Sequence, residues 1–263
     1  MREIKASEVS ALVSRLYQEA NTNLPGDVIS ALESALNKEE SPLCRKVLEA
    51  LIKNAVIAAS GKVPLCQDTG VAVVFAEVGR DAHLSGSLQE AVNEGIAMAQ
   101  RDGYLRASMV ASPCHDRSNT GDNTPAVLHT ELVGGDSVTV TVLPKGAGSE
   151  NMSRLAMLKP ADGVAGLVEF AVATVKEAGA NPCPPVFLGI GVGGTMDQAA
   201  YLSKKALIRP AGSAHPDERL AALELEVLEK VNALGIGPGG FGGDVTCLGV
   251  AIEEFPCHIA SLP

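Results

Sequence analysis

One short run holds several reactive side-chain types at adjacent positions. In Lys62-Val63-Pro64-Leu65-Cys66-Gln67-Asp68-Thr69-Gly70 a thiol is followed by an amide, a carboxylate, a hydroxyl and a glycine. A helical run precedes it and an apolar, strand-like run at residues 71–78 follows it. Polar groups on a short loop between two hydrophobic elements are placed to be held rigidly and aimed at a ligand. Local chemistry alone is equally compatible with a polar turn around an inert cysteine.

Other stretches carry chemistry of the same kind. Asn119-Thr120-Gly121-Asp122-Asn123-Thr124-Pro125 is dense in hydrogen-bonding side chains, though these are also turn formers. Arg106 and Arg117 flank it, and Lys145-Gly146-Ala147-Gly148-Ser149-Glu150-Asn151 forms a second polar loop. Two arginines and a lysine beside glycine-rich loops could clamp carboxylates, which guanidinium binds bidentately. His258 follows Pro256 and Cys257 just beyond a strand, where site residues commonly gather.

The six cysteines show neither C-x-x-C pairs nor zinc-ribbon spacing. Cys66 and Cys183 stand out because each lies beside the start of a strand, Cys183 within Asn181-Pro182-Cys183-Pro184-Pro185. Cys44 lies within a helix and reads as core. Cys114, Cys247 and Cys257 read first as small buried hydrophobes. Gly189-Ile190-Gly191-Val192-Gly193-Gly194 matches G-x-G-x-x-G between a strand and a helix. The acidic residue a dinucleotide site needs about 20 positions later falls in a Pro/Gly loop instead. A tight strand-to-helix turn offering N–H groups to an anion is the preferred reading, with a nucleotide-binding regulatory protein as the alternative.

The elements that must position these residues follow from periodicity. Helices are expected at residues 7–21 and 27–36, and a third begins at Pro42 after a Ser41 cap and ends at Gly61. A capping box at Ser87 starts another, running to about residue 101. A strand is expected at residues 105–110. Residues 126–133 and 136–143 alternate and flank Gly134-Gly135, which predicts a hairpin. A helix at 163–178, a strand at 186–192, a helix at 195–207, a helix from Pro216 to Gly235 and a strand at 246–252 complete the chain. The expected fold is α/β: a helical N-terminal region followed by a mixed sheet containing an antiparallel hairpin, flanked by helices. Residues 1–263 are expected to form one domain with a helical lead-in at 1–61.

Composition removes several classes. A formal charge of −10 disfavours phosphate backbones, and 3% aromatics leave no stacking platform for bases. No run approaches the ~18 apolar residues of a membrane span, and the N-terminus has no signal-peptide core. Six cysteines without such a signal point to reduced thiols in the cytoplasm.

Taken together, Pro64-Leu65-Cys66-Gln67-Asp68-Thr69-Gly70, Asn119-Thr120-Gly121-Asp122-Asn123-Thr124-Pro125-Ala126, Lys145-Gly146-Ala147-Gly148-Ser149-Glu150-Asn151, Gly193-Gly194-Thr195 and Pro256-Cys257-His258-Ile259-Ala260-Ser261-Leu262-Pro263 resemble the class I fumarase and L-tartrate dehydratase family. The likeness is to the alpha subunit of its two-subunit forms and runs in order from about residue 40 onward. Ala147 stands where relatives usually have glycine.

The resemblance implies a [4Fe–4S] cluster held by three cysteines with one iron open, and Cys66 and Cys183 match the first two ligands. The third lies, in the family, shortly beyond the His-x-Ala-Ser-Leu-Pro stretch. The sequence stops at Pro263, so a C-terminally truncated chain is expected, with Cys247 or Cys257 as the possible substitutes. The resemblance further implies that Gln67, Arg106 and Gly148 bind a dicarboxylate substrate and that Asp68 and His258 support proton movement. The carbon-directed base would belong to a beta subunit, in a hetero-oligomer with alpha–alpha contacts, and this chain alone would be inactive. A scaffold that has lost the cluster is a third class of reading.

Overall fold

Periodic apolar residues become helices that bury one face. In the computed structural model, which describes residues 2–263, a short strand β1 (Arg2–Lys5) leads into α1 (Ala6–Thr22), which buries Val9, Val13 and Tyr17 along one stripe. α2 (Gly26–Lys38) and α3 (Pro42–Gly61) follow. Pro42 occupies the first helical position, where its missing N–H is no loss, and the Ser41 hydroxyl accepts from the Cys44 N–H at 3.5 Å.

Next come β2 (Val71–Gly79), β3 (Ala82–Ser85) and α4 (Leu88–Asp102), and Ser87 caps this helix by accepting from the Glu90 N–H at 3.3 Å. β4 (Val127–Val133) and β5 (Val138–Lys145) then complete a three-stranded mixed sheet.

The hairpin expected around Gly134-Gly135 is not formed. The sheet order is β4-β2-β5: Val73 of β2 lies opposite Val127 in the parallel direction and opposite Leu143 in the antiparallel one. Burial explains the insertion. Residues 72–76 of β2 are all buried, whereas β4 mixes exposed and half-buried positions and β5 is half-buried everywhere but exposed Thr139. The most apolar strand takes the place with neighbours on both sides. The loop after β4 closes on the end of β2: Gly79 N donates to Ser137 O at 2.8 Å, Arg80 N to Val133 O at 2.9 Å and Asp81 N to Gly135 O at 2.9 Å. The antiparallel pair of the mixed sheet is therefore β2 with β5. The strand expected at residues 105–110 is also missing, apart from one bridge between Val110 and Asn119.

The described residues pack as two compact units. The first comprises residues 2–24 with Asn54–Ala147 and is cored by Val13, Tyr17, Val74, Val92 and Ile96. The second comprises Pro25–Lys53 with Gly148–Pro263. After the single turn α5 (Ala147–Glu150), it contains α6 (Gly163–Ala178), β6 (Val186–Gly193), α7 (Met196–Ala206), α8 (Glu218–Asn232) and β7 (Cys247–Phe255). β6 and β7 pair in parallel, and Val168, Val175, Val227, Val231 and Cys247 form the core around them. α8 starts from an Asp217 cap, one residue past the expected Pro216.

Two buried carboxylates brace this unit. Glu224 pairs with Arg209 at 2.6 Å and accepts from Ile252 N at 2.8 Å. Glu39, 2% exposed, accepts from Ser41 N at 2.9 Å, Asp244 N at 2.9 Å and Val245 N at 3.1 Å. It thereby fastens the end of a loop in which Gly235, Gly237, Gly239, Gly240, Gly242 and Gly243 all have positive φ. A Cβ on Gly243 would stand 2.7 Å from the Glu39 carboxylate.

Candidate active site

The Cys66 run occupies the loop between α3 and β2, as its flanking patterns require. Cys66 and Asp68 are half-buried and Gln67 is exposed. α1 holds the loop at both ends. Leu65 N donates to Asn21 O at 2.8 Å, and the hydroxyl of fully buried Tyr17 lies 3.0 Å from both Thr69 O and Gly70 O. Burial drives the Tyr17 phenol far above its ordinary value; the Asn21 hydrogen bond opposes this and nearby Asp68 adds to it, leaving a neutral donor. Asp68 N points at the Cys66 sulfur at 3.4 Å. The Asp68 carboxylate accepts from Gly70 N at 3.1 Å and from Ala147 N at 2.7 Å, so it ties the Cys66 loop to the loop after β5. Each of its oxygens retains accepting capacity for a further donor.

Arg106 is exposed, and its guanidinium forms no hydrogen bond or ion pair with the described residues. Its main chain, by contrast, is gripped from two directions. Arg106 N donates to Thr69 Oγ1 at 3.0 Å, while Arg106 O accepts from Thr69 Oγ1 at 3.3 Å and from Asn123 Nδ2 at 2.7 Å. Asn123 Oδ1 accepts from Ser108 N at 2.6 Å and Met109 N at 3.3 Å, and Asn119 Nδ2 donates to Ala107 O at 2.9 Å. Side chains thus take the place of the strand ladder expected at residues 105–110. Burial alone would raise the Asp122 carboxyl, but the hydrogen bonds from Thr124 hold it below its ordinary value. The first unit therefore brings Cys66, Gln67, Asp68 and Arg106 together through Thr69. Thr69, Asn123, Tyr17 and Asn21 were not picked out from the sequence. A buried asparagine in a turn-rich run has the same letters as a solvated one; Thr69 and Asn123 lay inside runs already marked, whereas Tyr17 and Asn21 did not.

Gly148, Cys183 and His258 belong to the second unit. A Cβ on Gly148 would stand 3.4 Å from Asn181 O and 4.0 Å from Cys183 N, so Gly148 and the Cys183 loop are neighbours. Cys183 is exposed on its proline-flanked loop. His258, also exposed, accepts from Ala260 N at Nδ1 at 3.1 Å, which leaves its proton on Nε2. The residues after His258 are fastened by Leu158 N donating to Leu262 O at 2.8 Å and by Gly193 N donating to Pro263 O at 2.9 Å.

That last bond also corrects the reading of the glycine pattern. Gly193 N is taken by Pro263 O and Gly194 N by Phe255 O, so neither N–H is offered to an anion. Gly189 and Gly191 serve packing: a Cβ on either would overlap a backbone oxygen of α7, at Ser203 and Ala199 respectively. The nucleotide alternative loses the feature on which it rested.

None of the six cysteines forms a disulfide. Cys44 is core, as expected, and donates to Gly242 O at 2.7 Å. Cys247 is 2% exposed, and burial pushes its thiol up to about 11, so it is closed off as a substitute metal ligand. Cys66, Cys114, Cys183 and Cys257 remain accessible. Thiolates are the donors that iron–sulfur clusters take, so these residues fit such a group in kind. Among the described residues no group of three or more Cys, His, Asp or Glu side chains that could hold a metal ion is found.

A family model described as fumarate hydratase (Fumerase) matches residues 10–263. The chain belongs to the fumarate hydratase family. Among the relatives of this fumarate hydratase family member, the putative L(+)-tartrate dehydratase subunit alpha of Methanocaldococcus jannaschii is 44% identical over 261 residues, 97% of this chain and 92% of that protein. The L(+)-tartrate dehydratase subunit alpha of Escherichia coli K12 is 32% identical over 260 residues, 97% of this chain and 85% of that protein. Among the described residues of this fumarate hydratase family chain, no helix is long and apolar enough to cross a membrane.

Proposed function

We propose that the chain is the alpha subunit of a cytoplasmic hydro-lyase that reversibly adds or removes water on a small 2-hydroxy dicarboxylate, either malate/fumarate or tartrate. The observation that carries the reading is the family match over residues 10–263, supported by relatives named as L(+)-tartrate dehydratase alpha subunits. Those names make tartrate the first substrate to assay.

In this reading Cys66 and Cys183 are two thiolate ligands of a [4Fe–4S] cluster. When bound, such a cluster supplies Lewis acidity toward the substrate hydroxyl and carboxylate. The remaining roles belong to the chain's own side chains. Arg106, whose guanidinium is free, pairs with a substrate carboxylate. Gln67 hydrogen-bonds the substrate, and Gly148 lets it approach the main chain. Asp68 accepts, and His258 donates through Nε2–H, as protons move at the substrate oxygens. The base for the carbon-bound proton comes from a beta subunit, so this chain alone is inactive.

The test is anaerobic reconstitution with the presumed beta partner, followed by assay on both tartrate enantiomers, malate and fumarate. Turnover of at least one by the assembled pair, and none by the alpha chain alone, is expected. An assembled pair inert toward all four would defeat the assignment.

A further inference from the structure

Asn123 is a polar side chain with no solvent exposure, an arrangement that costs free energy unless its hydrogen bonds are made. Three are made, and all three go to a single short segment. Nδ2 donates to Arg106 O at 2.7 Å, and Oδ1 accepts from Ser108 N at 2.6 Å and Met109 N at 3.3 Å. Asn123 also sits at φ 58°, a left-handed conformation that asparagine tolerates better than most residues. The segment it grips belongs to no strand; besides Asn123 and Thr69, it is tied by Asn119 Nδ2 donating to Ala107 O at 2.9 Å and by Thr120 N donating to Met109 O at 3.0 Å, beside the Val110–Asn119 bridge. Thr69, 2% exposed, holds the same segment through Arg106 N and shares the Arg106 O acceptor with Asn123. Thr69 adjoins Asp68. The root of the Arg106 side chain is therefore fixed by two buried polar groups, while among the described residues its guanidinium has no hydrogen-bond or ion-pair partner.

We propose that Asn123 is a positioning residue for Arg106: it fixes the main chain from which the guanidinium reaches a substrate carboxylate, and Thr69 locks that main chain to the Cys66 loop. The inference rests on the proposed reading of Arg106 as a carboxylate-binding residue. A bidentate pair needs its fork aimed, so loosening the root lowers affinity for the dicarboxylate in ground state and transition state alike. The expected signature is a raised KM with little change in kcat.

Two variants separate positioning from mere stability. Asn123→Asp keeps the shape and the acceptor for Ser108 and Met109 but replaces the donor to Arg106 O with a second oxygen. Asn123→Gly suits the positive φ and removes all three bonds. In the alpha–beta complex, both raise KM for the dicarboxylate about tenfold while kcat stays within about threefold. On an Arg106→Lys background, Asn123→Gly adds less than about twofold to KM, because the group it positions is already altered.

Amide hydrogen exchange in the full alpha chain gives a readout independent of turnover. Ser108 and Met109 exchange at least about tenfold faster in Asn123→Gly, while Val74 and Phe75 of β2 are unchanged. Should Asn123→Gly not accumulate as folded protein, Asn123→Asp carries the kinetic arm.

An active wild-type complex whose KM is unmoved in the variants overturns the inference alone, as do fully additive effects with Arg106→Lys, unaltered exchange at Ser108 and Met109, or a kcat that falls with the folded fraction at constant KM. A wild-type complex inert toward every dicarboxylate overturns the reading of the site, and the inference with it.

Discussion

Solvent access sorts the cysteines into two chemical classes. Cys66 is half-buried on a loop aimed outward, while Cys44 is enclosed and bonded to Gly242 O at 2.7 Å. Under the proposed cluster assignment, Cys66→Ser abolishes brown cluster absorbance after anaerobic reconstitution and Cys44→Ser leaves it; retained absorbance in the first variant would count against the ligand assignment. Cys247 makes a different prediction. Its thiol keeps its proton up to about 11 in the folded chain, against an ordinary value of 9.0. Below the ordinary value both folded and unfolded chains hold that proton, and the full stability is present. As pH rises from there through about 11, only the unfolded chain releases the proton, so stability falls by about 2–3 kcal/mol. The raised Tyr17 phenol extends the same alkaline loss. Denaturation midpoints should drop over that range, and drop less steeply in Cys247→Ala. The placement of Cys66, Gln67 and Asp68 on an accessible loop between α3 and β2 was legible because a helical run and an apolar strand-like run flank them. The inward chemistry of Asn123 and Thr69 was not, because burial is decided by chain segments far away in sequence.

At the level of elements, period and caps announce helices well: Ser41-Pro42 and Ser87 start α3 and α4 where they should. Pairing is a different matter. Both strands of the expected hairpin exist, yet β2 lies between them. The competition between a local glycine turn and a more apolar strand some 50 residues earlier is settled by burial, which no turn signal encodes. Glycines divide along the same line. Gly191→Ala would drive a Cβ into the α7 backbone and should destabilise by about 3 kcal/mol or more, whereas Gly134→Ala meets nothing within 4 Å and should cost under ~0.5 kcal/mol. Thermal unfolding of the two variants checks the contrast, and equal losses would mean that β6 and α7 can separate freely.

At the scale of the whole molecule, each compact unit has its own apolar core and its own share of the predicted site residues. The five motifs fixed the family but gave no sign of that division, since motif order says nothing about which segments pack together. A formal charge of −10 leads to one further expectation: the chain should not retard duplex DNA even near ~50 mM salt, where phosphate contacts are strongest. Retardation in a gel-shift assay would mean that a basic face outweighs the net charge. Finally, consider what holds the glycine-rich loop before β7. As a free peptide it would roam the whole φ/ψ map, because glycine loses the most freedom on ordering. Its C-terminal end is fastened by the carboxylate of Glu39, which accepts from Asp244 N 205 residues away in sequence, and Gly242 O accepts from the Cys44 thiol. The loop is consequently not portable: transplanted into another scaffold without its distant acidic anchor, it would carry the letters and leave the conformation behind.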